Sequence, residues 1–156
     1  MWGKKGSSSL SDIETMYIGQ YLHSLDTKNR LFLPAKFRDR NKEFIITRGL
    51  ENCLYIYDRE GWAKVLDKLE NLSLPDKVQE RAFKRALLSG AFEATTDAQG
   101  RILVPQHLKD YARITADITI VGVGSRLELW ERLAWEEYYR QHAEVSFKSL
   151  AGQLEI

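Results

Sequence analysis

The chain has 156 residues, 44% hydrophobic and 29% charged, proportions that suit one folded domain and not a disordered chain. No apolar run approaches the roughly 20 residues that span a bilayer, nothing resembles a signal peptide, and the single cysteine, Cys53, excludes an intrachain disulfide and fits a reducing compartment. The net charge of +1, from 23 Lys+Arg against 22 Asp+Glu, argues against nucleic acid only if the charge is evenly spread, and it is not. Residues 1–50 carry nine basic and five acidic side chains, residues 51–89 seven of each, residues 90–126 four of each, and residues 127–156 three against six. A basic front and an acidic back are either an ordinary solvated surface or a face that meets an anion.

Residues 1–15 contain Gly3, Gly6 and Ser7-Ser8-Ser9 without periodicity and read as a flexible leader or extension. From Met16 the pattern is ordered. A strand precedes the turn Asp26-Thr27-Lys28-Asn29, where the Asp carboxylate can accept backbone N–H groups and Asn tolerates positive φ. The short apolar strand Arg30-Leu31-Phe32-Leu33 follows, and Pro34 marks the start of a short helix, where its missing N–H costs nothing. Phe44–Thr47 and Leu54–Tyr57 read as a hairpin around Gly49–Asn52. Trp62, Val65, Leu66 and Leu69 have helical spacing, as do Val78, Ala82, Ala86 and Leu87 with Phe83 beside them; Leu74-Pro75-Asp76 separates the two helices.

The pattern then repeats. Gly19–Asp39 aligns without gaps on Gly90–Asp110 at an offset of 71, with Gly, Asp, Arg, Pro and Asp identical. Asp97-Ala98-Gln99-Gly100 is the second turn, Arg101–Val104 the second short strand, and Pro105 opens the second short helix. After two inserted residues, Leu54–Trp62 falls on Leu127–Trp135 at an offset of 73. Ile118–Val121 and Leu127–Trp130 form the second hairpin, and Trp135, Tyr138, Tyr139 and His142 lie on a closing helix, as core or subunit packing. The expected architecture is α+β: residues 16–89 and 90–147 as two halves, each too small to bury both its faces, packed and intertwined about a pseudo-twofold axis as one domain, with 148–156 as a flexible tail.

Paired aspartates on such an axis invite an acid/base dyad. However, neither Asp26 nor Asp97 is followed by the small-residue turn that a dyad needs, and an Arg four residues on would keep each carboxylate ionised. His23, His107 and His142 have no partners at metal-ligand spacing, no glycine-rich phosphate loop is present, and Cys53 reads as a small buried hydrophobe. Neither an enzyme, a metal nor a cofactor is expected. The arginines remain. Arg30 and Arg101 either tie down their turn aspartates or present a guanidinium fork to phosphates and to the O6/N7 edge of guanine. Lys28, Lys36, Arg38, Arg40 and Lys42 surround Arg30, whereas Gln99, Gln106 and His107 stand where the first copy has Lys28, Ala35 and Lys36, so the first copy is the expected main contact surface.

The stretches Ser24–Arg38 and Thr96–Pro105, with Gly122–Trp130, resemble the paired signature of the MraZ family over roughly Met16 to Phe147. One motif alone would resemble only the wider AbrB-like group. The resemblance implies two fused AbrB-like swapped-hairpin halves with a β-barrel-like core and flanking helices. It implies a cytoplasmic, nucleoid-associated transcriptional regulator that assembles as a homo-oligomeric ring. Such a regulator binds double-stranded DNA at short G-rich direct repeats upstream of the division and cell wall gene cluster. It places the DNA contacts on Arg30 and Arg101, with Lys28 and Asn29 beside the first; Lys36 and Arg38 join them as neighbouring cations. Asp26, Asp97, Gly100, Pro34 and Pro105 shape the turns. The rival on the same scaffold is an AbrB-like antitoxin that neutralises a protein partner.

Overall fold

A computed structural model describes residues 16–156; the expected leader, residues 1–15, lies outside them. The first half runs β1 (Tyr17–Ser24), β2 (Arg30–Phe32), α1 (Ala35–Arg40), β3 (Glu43–Arg48), β4 (Leu54–Tyr57), α2 (Arg59–Glu70) and α3 (Lys77–Gly90). The second runs β5 (Phe92–Thr95), β6 (Arg101–Leu103), α4 (Gln106–Tyr111), β7 (Asp117–Gly124), β8 (Leu127–Glu131), α5 (Arg132–Tyr138) and α6 (Glu144–Ala151). A π-helical turn, Tyr139–Ala143, joins α5 to α6, so the expected closing helix is interrupted where four aromatic rings, Trp130, Trp135, Tyr138 and Tyr139, crowd together. The chain stays helical to Ala151.

The halves exchange strands. The main sheet has the order β1-β7-β8-β4-β3-β5, all antiparallel, so the first strand of each half pairs with the third strand of the other. β2 and β6 form a separate two-stranded ribbon. Among the described residues the expected barrel does not close: β1 and β5 are the two edges of an open six-stranded ladder, because β2 and β6 spend their ladder bonds on each other. The pairing also locates the pseudo-twofold axis. Leu31 faces Ile102 and Tyr55 faces Glu128, and each pair consists of repeat counterparts. The axis therefore runs through the middle of the ribbon and the middle of the main sheet.

The core lies between these two layers. Leu31, Leu33, Phe37, Phe44 and Ile46 meet Ile102, Val104, Leu108, Ile118 and Ile120, all at 2% exposure or less. Phe37 is the centrepiece, stacked on Phe44 at 4.7 Å and edge-on to Tyr17 at 4.5 Å. Phe37→Ala is expected to cost about 3–5 kcal/mol, read as a fall in Tm by thermal denaturation. Neither half can supply this core alone, which is why one domain needs both copies. On the opposite face Cys53, Val121, Trp130 and Trp135 form a smaller cluster. Burial pushes the Cys53 thiol up to about 12, so it packs as an apolar group and is chemically quiet.

Repeat symmetry extends to helix entry. Asp58 caps α2 by accepting from Gly61 N, and its counterpart Glu131 caps α5 by accepting from Leu133 N and Ala134 N. Asp58 also receives the Tyr17 hydroxyl at 2.6 Å, which ties the edge strand β1 to the start of α2.

Candidate nucleic-acid interface

The two turns are built alike. Asp26 Oδ1 accepts Lys28 N at 2.8 Å and Arg30 N at 2.9 Å; Asp97 Oδ1 accepts Gln99 N and Arg101 N, both at 2.9 Å. Asn29 at φ 61 and Gly100 at φ 84 supply the left-handed residue that closes each turn. The second carboxylate oxygen then takes the arginine: Arg30 Nε lies 2.8 Å from Asp26 Oδ2 and Arg101 Nε 2.9 Å from Asp97 Oδ2. Backbone N–H donors, above all that of the Arg in each motif, hold both carboxyls below the ordinary carboxylate range. They remain anions at any physiological pH, so neither can act as half of an acid/base dyad.

The ribbon joins the two turns. Because side chains alternate along a strand, burying Leu31 and Ile102 turns Arg30, Phe32, Arg101 and Leu103 to the other face. Arg30 stands opposite Leu103 and Phe32 opposite Arg101, so the two arginines occupy diagonal corners of the ribbon, within reach of long side chains. They are coupled across the axis. Arg101 Nη1 lies 3.5 Å from Asp26 Oδ2, so Asp26 holds both guanidinium groups and Asp97 only one. Arg30 keeps 32% of its side chain exposed and Arg101 18%. With each Nε committed to its own aspartate, Arg30 keeps its terminal N–H groups free of any carboxylate among the described residues, whereas Arg101 also turns Nη1 to Asp26.

The other expected residues fall around this ribbon in different ways. The Lys28 side chain is exposed at the tip of the first turn. The Asn29 side chain is occupied: its Oδ1 accepts Lys109 Nζ at 2.7 Å and its Nδ2 donates to Gln106 Oε1 at 3.4 Å, bracing the first turn against α4. Arg38, the repeat counterpart of Lys109, lies against Gly100, where a Cβ would come within 3.0 Å of its Nη1. Each short helix thus steadies the other half's turn with one cation. Lys36 points elsewhere and donates to the Met16 carbonyl at 2.8 Å. Pro34 and Pro105 sit one residue before the helices, each carbonyl accepting the first two helical N–H bonds.

Sequence reasoning missed Phe32 and Leu103. Both are 45% exposed, flanking the arginines on the open face, and Arg101 lies over the Phe32 ring at 5.9 Å. Strand alternation counted from Leu31 was the signal that would have found them. It missed Lys109 too, which the offset of 71 marks as the partner of Arg38.

An α+β fold of two strand-exchanging halves, with a doubled Asp–Arg turn at its pseudo-twofold axis, defines a class of two-repeat proteins. The comparison with known proteins gives the particular family. The MraZ family, described as "MraZ protein, putative antitoxin-like", matches twice, at residues 16–86 and 87–154. "Transcriptional regulator MraZ" of Clostridium tetani is 46% identical over 140 residues, covering 89% of this chain and 96% of that protein. The proteins of the same description from Caldanaerobacter subterraneus subsp. tengcongensis and Moorella thermoacetica are each 43% identical, covering 90% and 89% of this chain. The chain belongs to the MraZ family, which is a family of transcriptional regulators and not of enzymes. No described helix is long and apolar enough to cross a membrane.

Proposed function

We propose that this regulator binds double-stranded DNA through the β2/β6 ribbon, reading short direct repeats upstream of a division and cell wall gene cluster as a homo-oligomeric ring. The observation that carries this reading is the pair of arginines fixed at diagonal corners of one exposed two-stranded ribbon, each aimed by its own carboxylate. A two-stranded ribbon fits the major groove, and an arginine presenting two N–H groups fits guanine O6 and N7. Lys28 adds a phosphate contact at the tip of the first turn. Phe32 and Leu103 supply apolar contact beside the base edges.

A ring follows from the direct repeats. A twofold dimer presents inverted surfaces and suits a palindrome, whereas a head-to-tail ring presents one surface repeatedly in the same sense. Each subunit contributes few contacts, and linking several raises the overall affinity by orders of magnitude without any new one. The near-neutral subunit is no obstacle, because the ring shows DNA the same basic ribbon many times. Titration of the chain with its own upstream region at several salt concentrations tests the reading. Affinity should fall steeply with salt as phosphate counterions are displaced, and unrelated DNA of equal length should bind far more weakly. A flat salt dependence, or equal affinity for both DNAs, would count against the ribbon as the contact surface.

A further inference from the structure

Among the apolar surfaces that lie open on the described residues, two differ in shape and in charge. One is a groove of about 340 Å³ between α2 and α3, floored by Thr47, Tyr55 and Tyr57 and walled by Trp62, Phe83 and Leu87. Its far wall buries none of its own side chains fully: α3 has no buried residue, Phe83 is 51% exposed, and Arg48 Nη2 donates to the Ala86 carbonyl at 2.7 Å to hold the helix on β3. On the floor, the Thr47 hydroxyl is buried with no hydrogen-bond partner among the described residues. Four cations on α3, Lys77, Arg81, Lys84 and Arg85, stand against the single anion Glu80, a balance of +3. Glu80 is already shared by Lys77 and Lys84, while Arg81 and Arg85 reach no carboxylate among the described residues.

The other surface is an arm. None of the residues of α6 is buried. Phe147, Leu150 and Leu154 are 66%, 50% and 66% exposed, and Ala151 lies between them. The bond from Leu154 N to Leu150 O carries the helical turn past Ala151, so these side chains fall at i, i+3, i+4 and i+7. That spacing is how an amphipathic helix anchors in a groove. From Glu144 to Ile156 the arm has two Glu against one Lys, a balance of −1.

We propose that the α6 arm of one copy lies in the α2–α3 groove of the next copy of this chain, and that this contact, repeated, closes the ring; the proposal rests on the ring reading above. The charges select the pairing. Groove on groove would set two basic walls together and arm on arm would leave both grooves open, whereas arm in groove brings the slightly acidic arm to a basic wall and covers apolar surface on both sides. Groove and arm are different surfaces of one subunit, so the contact is head-to-tail and leaves a free groove and a free arm at each step until the ring closes.

Native mass spectrometry of the full chain tests this with two variants. Phe83→Asp spoils the groove, and Phe147→Asp with Leu150→Asp spoils the arm. All three residues are exposed, so far-UV circular dichroism should match that of the unaltered chain. The unaltered chain should be a multimer and each variant an 18.1 kDa monomer. An equimolar mixture of the variants should give a dimer and nothing larger, because only one competent groove and one competent arm remain to meet. A variant that keeps the full multimer, or a mixture that stays monomeric, overturns the arm-in-groove contact while the ring reading stands. An unaltered chain that is itself monomeric, with the arm seated on its own groove or free, overturns both.

Discussion

Arg30→Ala is expected to abolish specific binding to promoter DNA at concentrations where the unaltered chain saturates, while the fold and the oligomer persist. The fold persists because Arg30 contributes little to it. Its ion pair with Asp26 is one-third exposed, and pairs of that kind contribute about 0–1 kcal/mol. The DNA loss is large for a different reason. A bidentate contact to guanine contributes about 1–3 kcal/mol of discrimination, roughly 5- to 150-fold per subunit at 1.4 kcal/mol per decade. In a ring that engages several repeats the loss recurs at each of them, so avidity amplifies it. Arg101→Ala should be the weaker variant. Arg101 is less exposed and tied to two carboxylates, so it gives up fewer free N–H groups to the DNA. Fluorescence anisotropy with a labelled repeat-containing duplex, beside size-exclusion chromatography, reads both effects. Full affinity with Arg30→Ala would move the contact surface off the ribbon.

Part of this design was legible in the chain and part was not, for reasons that differ residue by residue. The turns were legible because their chemistry is local. An Asp that accepts two backbone N–H groups, a residue tolerant of positive φ three positions on, and an Arg at the fourth are all read within five residues. The repeat then implied that Leu31 and Ile102 are counterparts, and counterparts on a twofold axis meet. The exchange of strands was less accessible, since the pairing of β1 with β7 joins residues 93 to 107 apart, and nothing in either strand names its partner. Gly122 shows the difficulty. A Cβ there would sit 2.5 Å from the backbone nitrogen of Ile18, so glycine is what lets β1 lie against β7, but a lone glycine near a hairpin reads simply as turn. The registers carry a further surprise. Ile46 faces Phe92 and Ile120 faces Tyr21, which makes β3 and β7 counterparts at an offset of 74, whereas β4 and β8 match at 73. The second half gains three residues before its hairpin and gives one back within it. The α3 pattern was read correctly as a helix, yet periodicity cannot say whether an apolar stripe meets its own chain or another's. Here it stays open.

The asymmetry between the two aspartates leads to the most discriminating result. Asp26→Ala and Asp97→Ala remove the same charge from equivalent turns, and each frees two backbone N–H groups, three of the four at the surface and that of Arg30 half-buried. If the motifs served only to shape turns, the two variants would behave alike. They are not alike in what else they hold. Asp26 Oδ2 receives both Arg30 Nε and Arg101 Nη1, whereas Asp97 Oδ2 receives Arg101 alone. Removing Asp26 releases Arg30 to rotate and takes away one of the two anchors of Arg101, which keeps Asp97. Removing Asp97 leaves Arg30 aimed and Arg101 still within reach of Asp26. Specific affinity should therefore drop by at least tenfold more for Asp26→Ala than for Asp97→Ala, the order of one well-oriented charged hydrogen-bond pair. Affinity for unrelated DNA should move the opposite way in both variants. Each loses an anion beside the phosphates and so gains electrostatic attraction, with a steeper dependence on salt. A parallel rise and fall of specific and unrelated binding would reduce Asp26 to a charge among charges. A fall in specific binding with a rise in the unrelated kind separates aiming from attraction, because only aiming depends on where the guanidinium points.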